Sequence, residues 1–196
     1  DEYYARYLGY DDLGMFERLG ADRDLGWSAR HITALVARKG VKLEELLHGG
    51  AVLFPGAADF IRHAATAVPV AIASGALRHE IVEIISTAGI ADLFTVIVAS
   101  GDTPESKPSP APYRLAFEQL VRRRGVELDP RRTVAIEDSR WGLASAKGAG
   151  LRCVGVTSSY SAHELHGAEL TAGGLADLTL ESLDELCATL HAKGPG

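Results

Sequence analysis

The sequence predicts an α/β protein, a doubly wound parallel sheet preceded by a small α-helical domain, and three observations carry that reading. From about residue 55 onward, short continuous apolar runs alternate with stretches of helical periodicity. Such runs are strands covered on both faces, the signature of a parallel sheet between two helical layers. The first fifty residues contain no convincing strand and read as helical throughout. At 196 residues the chain has the length for one α/β core with a modest helical insertion. We divide it into a helical unit, 1–50, and an α/β core, 51–196.

Within the helical unit Tyr3, Tyr4, Tyr7 and Leu8 share one face, and Ile32, Leu35 and Val36 share another. A third short helix is expected around Lys42 to Leu47. Pro55-Gly56 marks the change of pattern. Pro55 suits a turn or a first helical turn, and Ala57, Phe60, Ile61 and Ala64 follow at helical spacing. The strands are then read at Val68 to Ala73, Phe94 to Ala99, Thr133 to Ile136 and Arg152 to Val156, with an edge strand at Ala176 to Leu180. Helices are read at His79 to Ala88, Ala111 to Arg124, Arg140 to Ala149 and Leu183 to Leu190.

Composition narrows the function. Twenty basic residues face 26 acidic ones, a net charge of -6, where a nucleic-acid footprint calls for a basic stripe. A small anionic substrate needs only local positive charge and stays open. Two cysteines, Cys153 and Cys187, have neither a disulfide framework nor metal-ligand spacing, and Cys153 reads as a buried reduced thiol. No apolar run approaches the ~18 residues of a membrane span. The acidic start DEYYARYLGYDD has no signal-peptide pattern. A cytoplasmic protein is the expectation.

In an open α/β sheet, ligands bind outside the carboxyl ends of the strands. Those ends carry Ser74-Gly75-Ala76, then Ser100-Gly101-Asp102 with Lys107-Pro108 soon after, then Glu137-Asp138-Ser139. Each has an ordinary reading as well. Ser74 would serve as a helix cap, Lys107 as a solvated surface lysine, and Glu137 and Asp138 as first-turn acids complementing a helix dipole. Adjacent carboxylates directly after a buried strand repel each other, however, and a divalent cation commonly holds such a pair.

These residues carry a resemblance to the haloacid dehalogenase superfamily. The strand ending in Ser74 resembles its second motif and Lys107-Pro108 its third. The segment Val134-Ala-Ile-Glu137-Asp138-Ser139, with Gly142 and Ala146 through Gly150, resembles its fourth. The helical block before Pro55 is similar to the small cap of the subgroup containing phosphoglycolate phosphatases and β-phosphoglucomutases. The resemblance implies a Rossmann-like core and a Mg2+-dependent phosphotransferase working through an aspartyl phosphate. It implies Asp138 as a direct Mg2+ ligand and Glu137 as a ligand directly or through water. Ser74 would bond a phosphoryl oxygen, helped by the backbone N–H of Gly75 or Ala76, and Lys107 would neutralise charge. It also implies a nucleophilic Asp-x-Asp after a strand. Asp22 and Asp24 alone have that spacing, in a stretch that reads as a cap loop. The expectation is that the first motif lies upstream of Asp1, that a gap separates the strands of motifs two and four, and that these 196 residues alone have little phosphatase activity.

Within the family two departures favour hydrolysis over mutase chemistry. The cap has Gly9-Tyr10-Asp11-Asp12 where a mutase carries an arginine, and Ser74 is followed by Gly-Ala-Leu-Arg78 instead of a mutase-type Ser-Lys-Asn pattern. Arg78 and Lys39 are substrate-contact candidates; Arg78 reads equally as a solvent-facing helix arginine, and Lys39, the weaker candidate, as part of the charged helix end Arg38-Lys39. The substrate expected is a small phosphorylated metabolite such as a sugar phosphate or phosphoglycolate-like compound. A β-phosphoglucomutase-like enzyme and a non-catalytic binding module are the alternatives.

Overall fold

A computed structural model describes residues 2, 6, 7, 10–47, 53–125 and 127–189. The helical unit contains α1 (Asp12–Asp22) and α2 (Ala29–Leu47), which pack on each other. Asp11 starts α1 as its N-cap, its Oδ1 accepting from the Gly14 N–H at 2.8 Å. Trp27 lies on Gly20, makes an edge contact with Phe16 and stacks on His31. In α2, Ile32 is buried while Leu35 and Val36 are half-buried, the face read from the sequence. The separate third helix is corrected: α2 runs unbroken for 19 residues. Gly40 lies within it, and one interior glycine costs a helix only about 1 kcal/mol relative to alanine. Tyr7 is buried. Tyr3, Tyr4 and Leu8, and the boundary drawn at residue 50, lie outside the described residues.

The core begins with α3 (Ala57–Ala67). Gly56 precedes it with φ 75°, where a Cβ would also meet that of Ala176 at 2.6 Å, so the position requires glycine. Then come β1 (Val70–Ala73), α4 (Arg78–Thr87), β2 (Phe94–Val98), α5 (Ala111–Arg124), β3 (Val134–Glu137), α6 (Arg140–Gly148), β4 (Arg152–Val156), β5 (Leu170–Ala172) and α7 (Leu180–Ala188). The expected edge strand at Ala176 to Leu180 is corrected to a 3-10 turn (Leu175–Asp177) leading into α7, and the edge strand is β5. The cause is side-chain chemistry. Asp177 accepts from the Gly174 N–H and Thr179 from the Ser182 N–H, bonds that close a turn and cap a helix.

Every strand pairing is parallel. Among the described residues the strands form two separate sheets, β1–β2 and β3–β4–β5, and no ladder joins β1 to β3. All four residues of β1 are half-buried, whereas Val96 and Val98 of β2 and Cys153 and Val154 of β4 are buried almost completely. Helix α5 packs on β1 and β2, α6 on β3 and β4, and the two helices pack on each other across the junction. Ser145 of α6 donates to the Ser109 carbonyl just before α5 at 2.5 Å. Among the described residues no helix is long and apolar enough to cross a membrane.

Candidate active site

The ends of β1 and β3 open onto one cleft of about 170 Å³, lined by Ser74, Gly75, Lys107, Glu137 and Asp138 together with Tyr10, Asp11, Ser106 and Ser139. The chain turns sharply after each strand, and that turn presents the polar residue. Ser74 continues the β1 ladder, its N–H donating to the Val98 carbonyl at 2.9 Å. Its hydroxyl accepts from the Ala76 N–H at 3.1 Å inside the loop. Ser74 is therefore not the cap of α4, which Glu80 closes by accepting from the Leu77 N–H at 2.8 Å. The Ala76 N–H, offered to a phosphoryl oxygen by the sequence reading, is engaged by Ser74.

Lys107 reaches across the junction between the sheets. Its ammonium donates to the Ala73 carbonyl at the end of β1, at 2.9 Å, and to Glu137 Oε1 at the end of β3. The lysine side chain is 16% exposed and Glu137 only 8%. Tyr113, in the first turn of α5, donates its hydroxyl to the same Glu137 oxygen at 2.5 Å, and its ring centroid lies 4.9 Å from the Lys107 nitrogen. Burial, reinforced by Glu137, pushes the Tyr113 hydroxyl well above its ordinary pKa and keeps it a donor. The Glu137 carboxylate folds back onto the start of α6, where Ser139 approaches Oε2 at 3.5 Å. It lies directly against the Cα of Gly142, in the space a Cβ would need. Asp138 is half-buried and turned the other way, its Oδ2 accepting from the Ser159 hydroxyl at 2.6 Å.

Tyr10 and Asp11, at the start of α1, complete the lining. Asp11 lies over Gly75, and its Oδ2 accepts from Ser100 at 3.3 Å. Lys39 and Arg78 stand outside the lining. The Lys39 ammonium is 2.6 Å from Asp12 Oδ2 and 3.8 Å from Oε1 of Glu80, a residue 2% exposed. Loss of solvation raises the Asp12 carboxyl pKa, and Lys39 only partly opposes it. Arg78 donates to Asp102 at 2.6 Å and to the Ile97 carbonyl at 3.1 Å. Asp22 is held by Arg6, Arg18 and Tyr7, and Asp24 occupies a turn with φ 49°, so neither faces the cleft.

Tyr113, Ser159, Asp11 and Ser100 belong to this site but were not selected from the sequence. Ser159 follows β4 in the run Thr157-Ser158-Ser159, so the strand-end rule applied once more finds it. Tyr113 reads as an ordinary apolar-face residue of a helix. Among the described residues no three or more His, Cys, Asp or Glu side chains group to hold a metal. The acidic side chains that line the cleft are Asp11, Glu137 and Asp138.

Known proteins resemble this chain in sequence and in fold. The chain is 35% identical over 150 residues to the protein CbbY of Rhodobacter capsulatus, covering 74% of this chain and 62% of that protein. It is 30% identical over 146 residues to a phosphoglycolate phosphatase of Yersinia pseudotuberculosis, covering 71% and 60% respectively. The chain thus spans less than two thirds of these relatives. The crystal structure of CbbY from Rhodobacter sphaeroides in complex with phosphate superposes with a TM-score of 0.79 at 29% identity, over 93% of this chain and 82% of that one. The sequence model of haloacid dehalogenase-like hydrolases matches residues 2–150, and the chain belongs to that family.

Proposed function

We propose that this cleft serves a Mg2+-dependent phosphatase of small phosphorylated metabolites, sugar phosphates or phosphoglycolate-like compounds, working through an aspartyl-phosphate intermediate. The observation that carries the reading is the Lys107 ammonium. It is held between the Ala73 carbonyl and Glu137, in one cleft with Ser74 and Asp138. Phosphoryl transfer needs positioning and charge stabilisation more than covalent help from side chains. An ammonium has three donors. Two are spent on the protein, and the third serves a phosphoryl oxygen. The Ser74 hydroxyl accepts from Ala76 and keeps its own proton to donate to a second oxygen.

The carboxylates fit a hard cation that takes one or two protein oxygens and completes its shell with phosphate and water. Asp138, oriented through one oxygen by Ser159, would hold the cation directly. Glu137, whose Oε1 already accepts from Lys107 and Tyr113, would contribute through water. Bound Mg2+ supplies charge neutralisation for the transferring phosphoryl group. Asp11 at the mouth favours hydrolysis over mutase chemistry, because a carboxylate there repels a second phosphate.

The test is hydrolysis of p-nitrophenyl phosphate and of small phosphorylated metabolites by the chain together with any coding sequence that precedes it. Turnover should require Mg2+, and Lys107→Ala should lower kcat about 10²–10³-fold. Asp138→Ala should weaken Mg2+ affinity and recover in part at raised metal, and Ser74→Ala should be the mildest. Wild-type turnover in both Lys107→Ala and Asp138→Ala would refute the reading.

A further inference from the structure

The ammonium of Lys107 is held by more than its carboxylate partner. A lysine stem has four rotatable bonds, and a single ion pair leaves its nitrogen free to swing around the accepting oxygen. Here the Ala73 carbonyl holds the nitrogen at 2.9 Å, and two further features, both from Tyr113, narrow that freedom. Its hydroxyl, 2.5 Å from Glu137 Oε1, fixes the carboxylate that receives Lys107. Its ring flanks the ammonium, the centroid 4.9 Å from the nitrogen, where a cation is attracted to the aromatic face. The ring is itself anchored, packed against the buried cluster that contains Leu143 and Ala146. Charge matters as well as position. The Tyr113 hydrogen bond draws on the electron density of the oxygen that Lys107 contacts, so the ion pair neutralises the ammonium less completely.

We propose that Tyr113 is a positioning residue for Lys107, acting through Glu137 and through the face of its own ring to aim the ammonium into the cleft. The inference rests on the phosphatase reading for the chemistry that Lys107 performs, while the positioning itself rests on the contacts of Tyr113.

Two experiments separate these layers. The first needs no turnover: brief labelling of amines with acetic anhydride, read at Lys107 by peptide mass spectrometry against exposed Lys147. Tyr113→Phe, which keeps the ring and loses the hydroxyl, should raise Lys107 labelling several-fold, and Tyr113→Leu should raise it further. Unchanged labelling in both variants would overturn the proposal. The second is steady-state hydrolysis of p-nitrophenyl phosphate with Mg2+. Tyr113→Phe should lower kcat by roughly 10-fold with little change in KM, the low end of what removing an outer partner costs at a metal site. The same substitution placed on Lys107→Ala should cost nothing further, because a group acting through Lys107 has nothing left to act on. An equal loss in both backgrounds would assign Tyr113 a merely structural role. If the wild-type chain together with the coding sequence that precedes it hydrolyses nothing, the phosphatase reading fails, and the labelling result alone decides the role of Tyr113.

Discussion

Substituting Gly142 by alanine tests how firmly the carboxylate of Glu137 is held. The Cβ would fall within the van der Waals envelope of the Glu137 carboxyl carbon and both oxygens, so the carboxylate must retreat. A retreat of roughly an ångström carries the Tyr113 bond from 2.5 Å to the edge of hydrogen-bonding range and loosens the Lys107 ion pair. Hydrogen bonds to charged groups contribute about 1.5–3 kcal/mol each, part of which water in the open cleft restores. The better helix propensity of alanine returns up to ~1 kcal/mol. The net destabilisation is about 1–3 kcal/mol, which in a chain of this length lowers Tm by about 2–12 °C. Gly40 is the control. It also sits inside a helix, but nothing lies within 4 Å of its would-be Cβ, so Gly40→Ala should raise Tm by about 1–4 °C. Calorimetric melting of the two variants beside wild type reads opposite signs. If Gly142→Ala melts at or above wild type, the carboxylate is not packed where the argument needs it.

Three further outcomes follow from the same structure. Burial pushes the Cys153 thiol up to about 11 and raises that of Cys187, so a disulfide reagent at pH 8 should label both slowly in the native protein and quickly in urea; rapid labelling of two thiols without denaturant would contradict their burial. The folded-state pKa of Asp12 lies above its unfolded value, so its contribution favours folding at low pH and is lost as pH rises through the raised value. The Tm of wild type relative to Asp12→Asn should accordingly increase as pH falls from 7 toward 4, and a constant difference would show that the carboxyl is not desolvated. Lys39→Ala leaves the buried Glu80 without its cation, but the lysine is 39% exposed, so about 1 kcal/mol and a Tm loss of about 2–4 °C are expected. An unchanged Tm with a raised KM would make Lys39 a substrate contact instead of a tie between α2 and α4.

The elements legible in the sequence were those whose signal is local. Runs such as VPVAIA and FTVIVA are short, apolar and bounded by turn residues, and β1 and β2 fall within them. The segment from Ala176 to Leu180 is also apolar, but Asp177 and Thr179 offer the backbone nearby hydrogen bonds that a ladder must outbid. The cleft residues Ser74, Lys107, Glu137 and Asp138 were legible because strand ends concentrate chemistry. The partners of the charged helix residues were not. Lys39 meets Asp12 27 residues away and Arg78 meets Asp102 24 residues away, and no periodicity encodes such pairings. Tyr113 was missed for a related reason. Its ring belongs to the helix pattern while its hydroxyl belongs to a glutamate on another strand.

The division into two sheets bears on how the molecule opens. Among the described residues no ladder bond runs from β1 to β3, so either sheet can lose its structure without breaking a hydrogen-bonded strand pair of the other. Hydrogen exchange should then resolve two populations of slow amides, one in β1–β2 and one in β3–β4, with separate opening free energies. What couples them is the contact of α5 with α6 and the reach of Lys107 from Ala73 to Glu137. An anion seated in that cleft touches both units at once. In these 196 residues, inorganic phosphate bound there should draw the two exchange populations together, acting as a fastener between the two sheets.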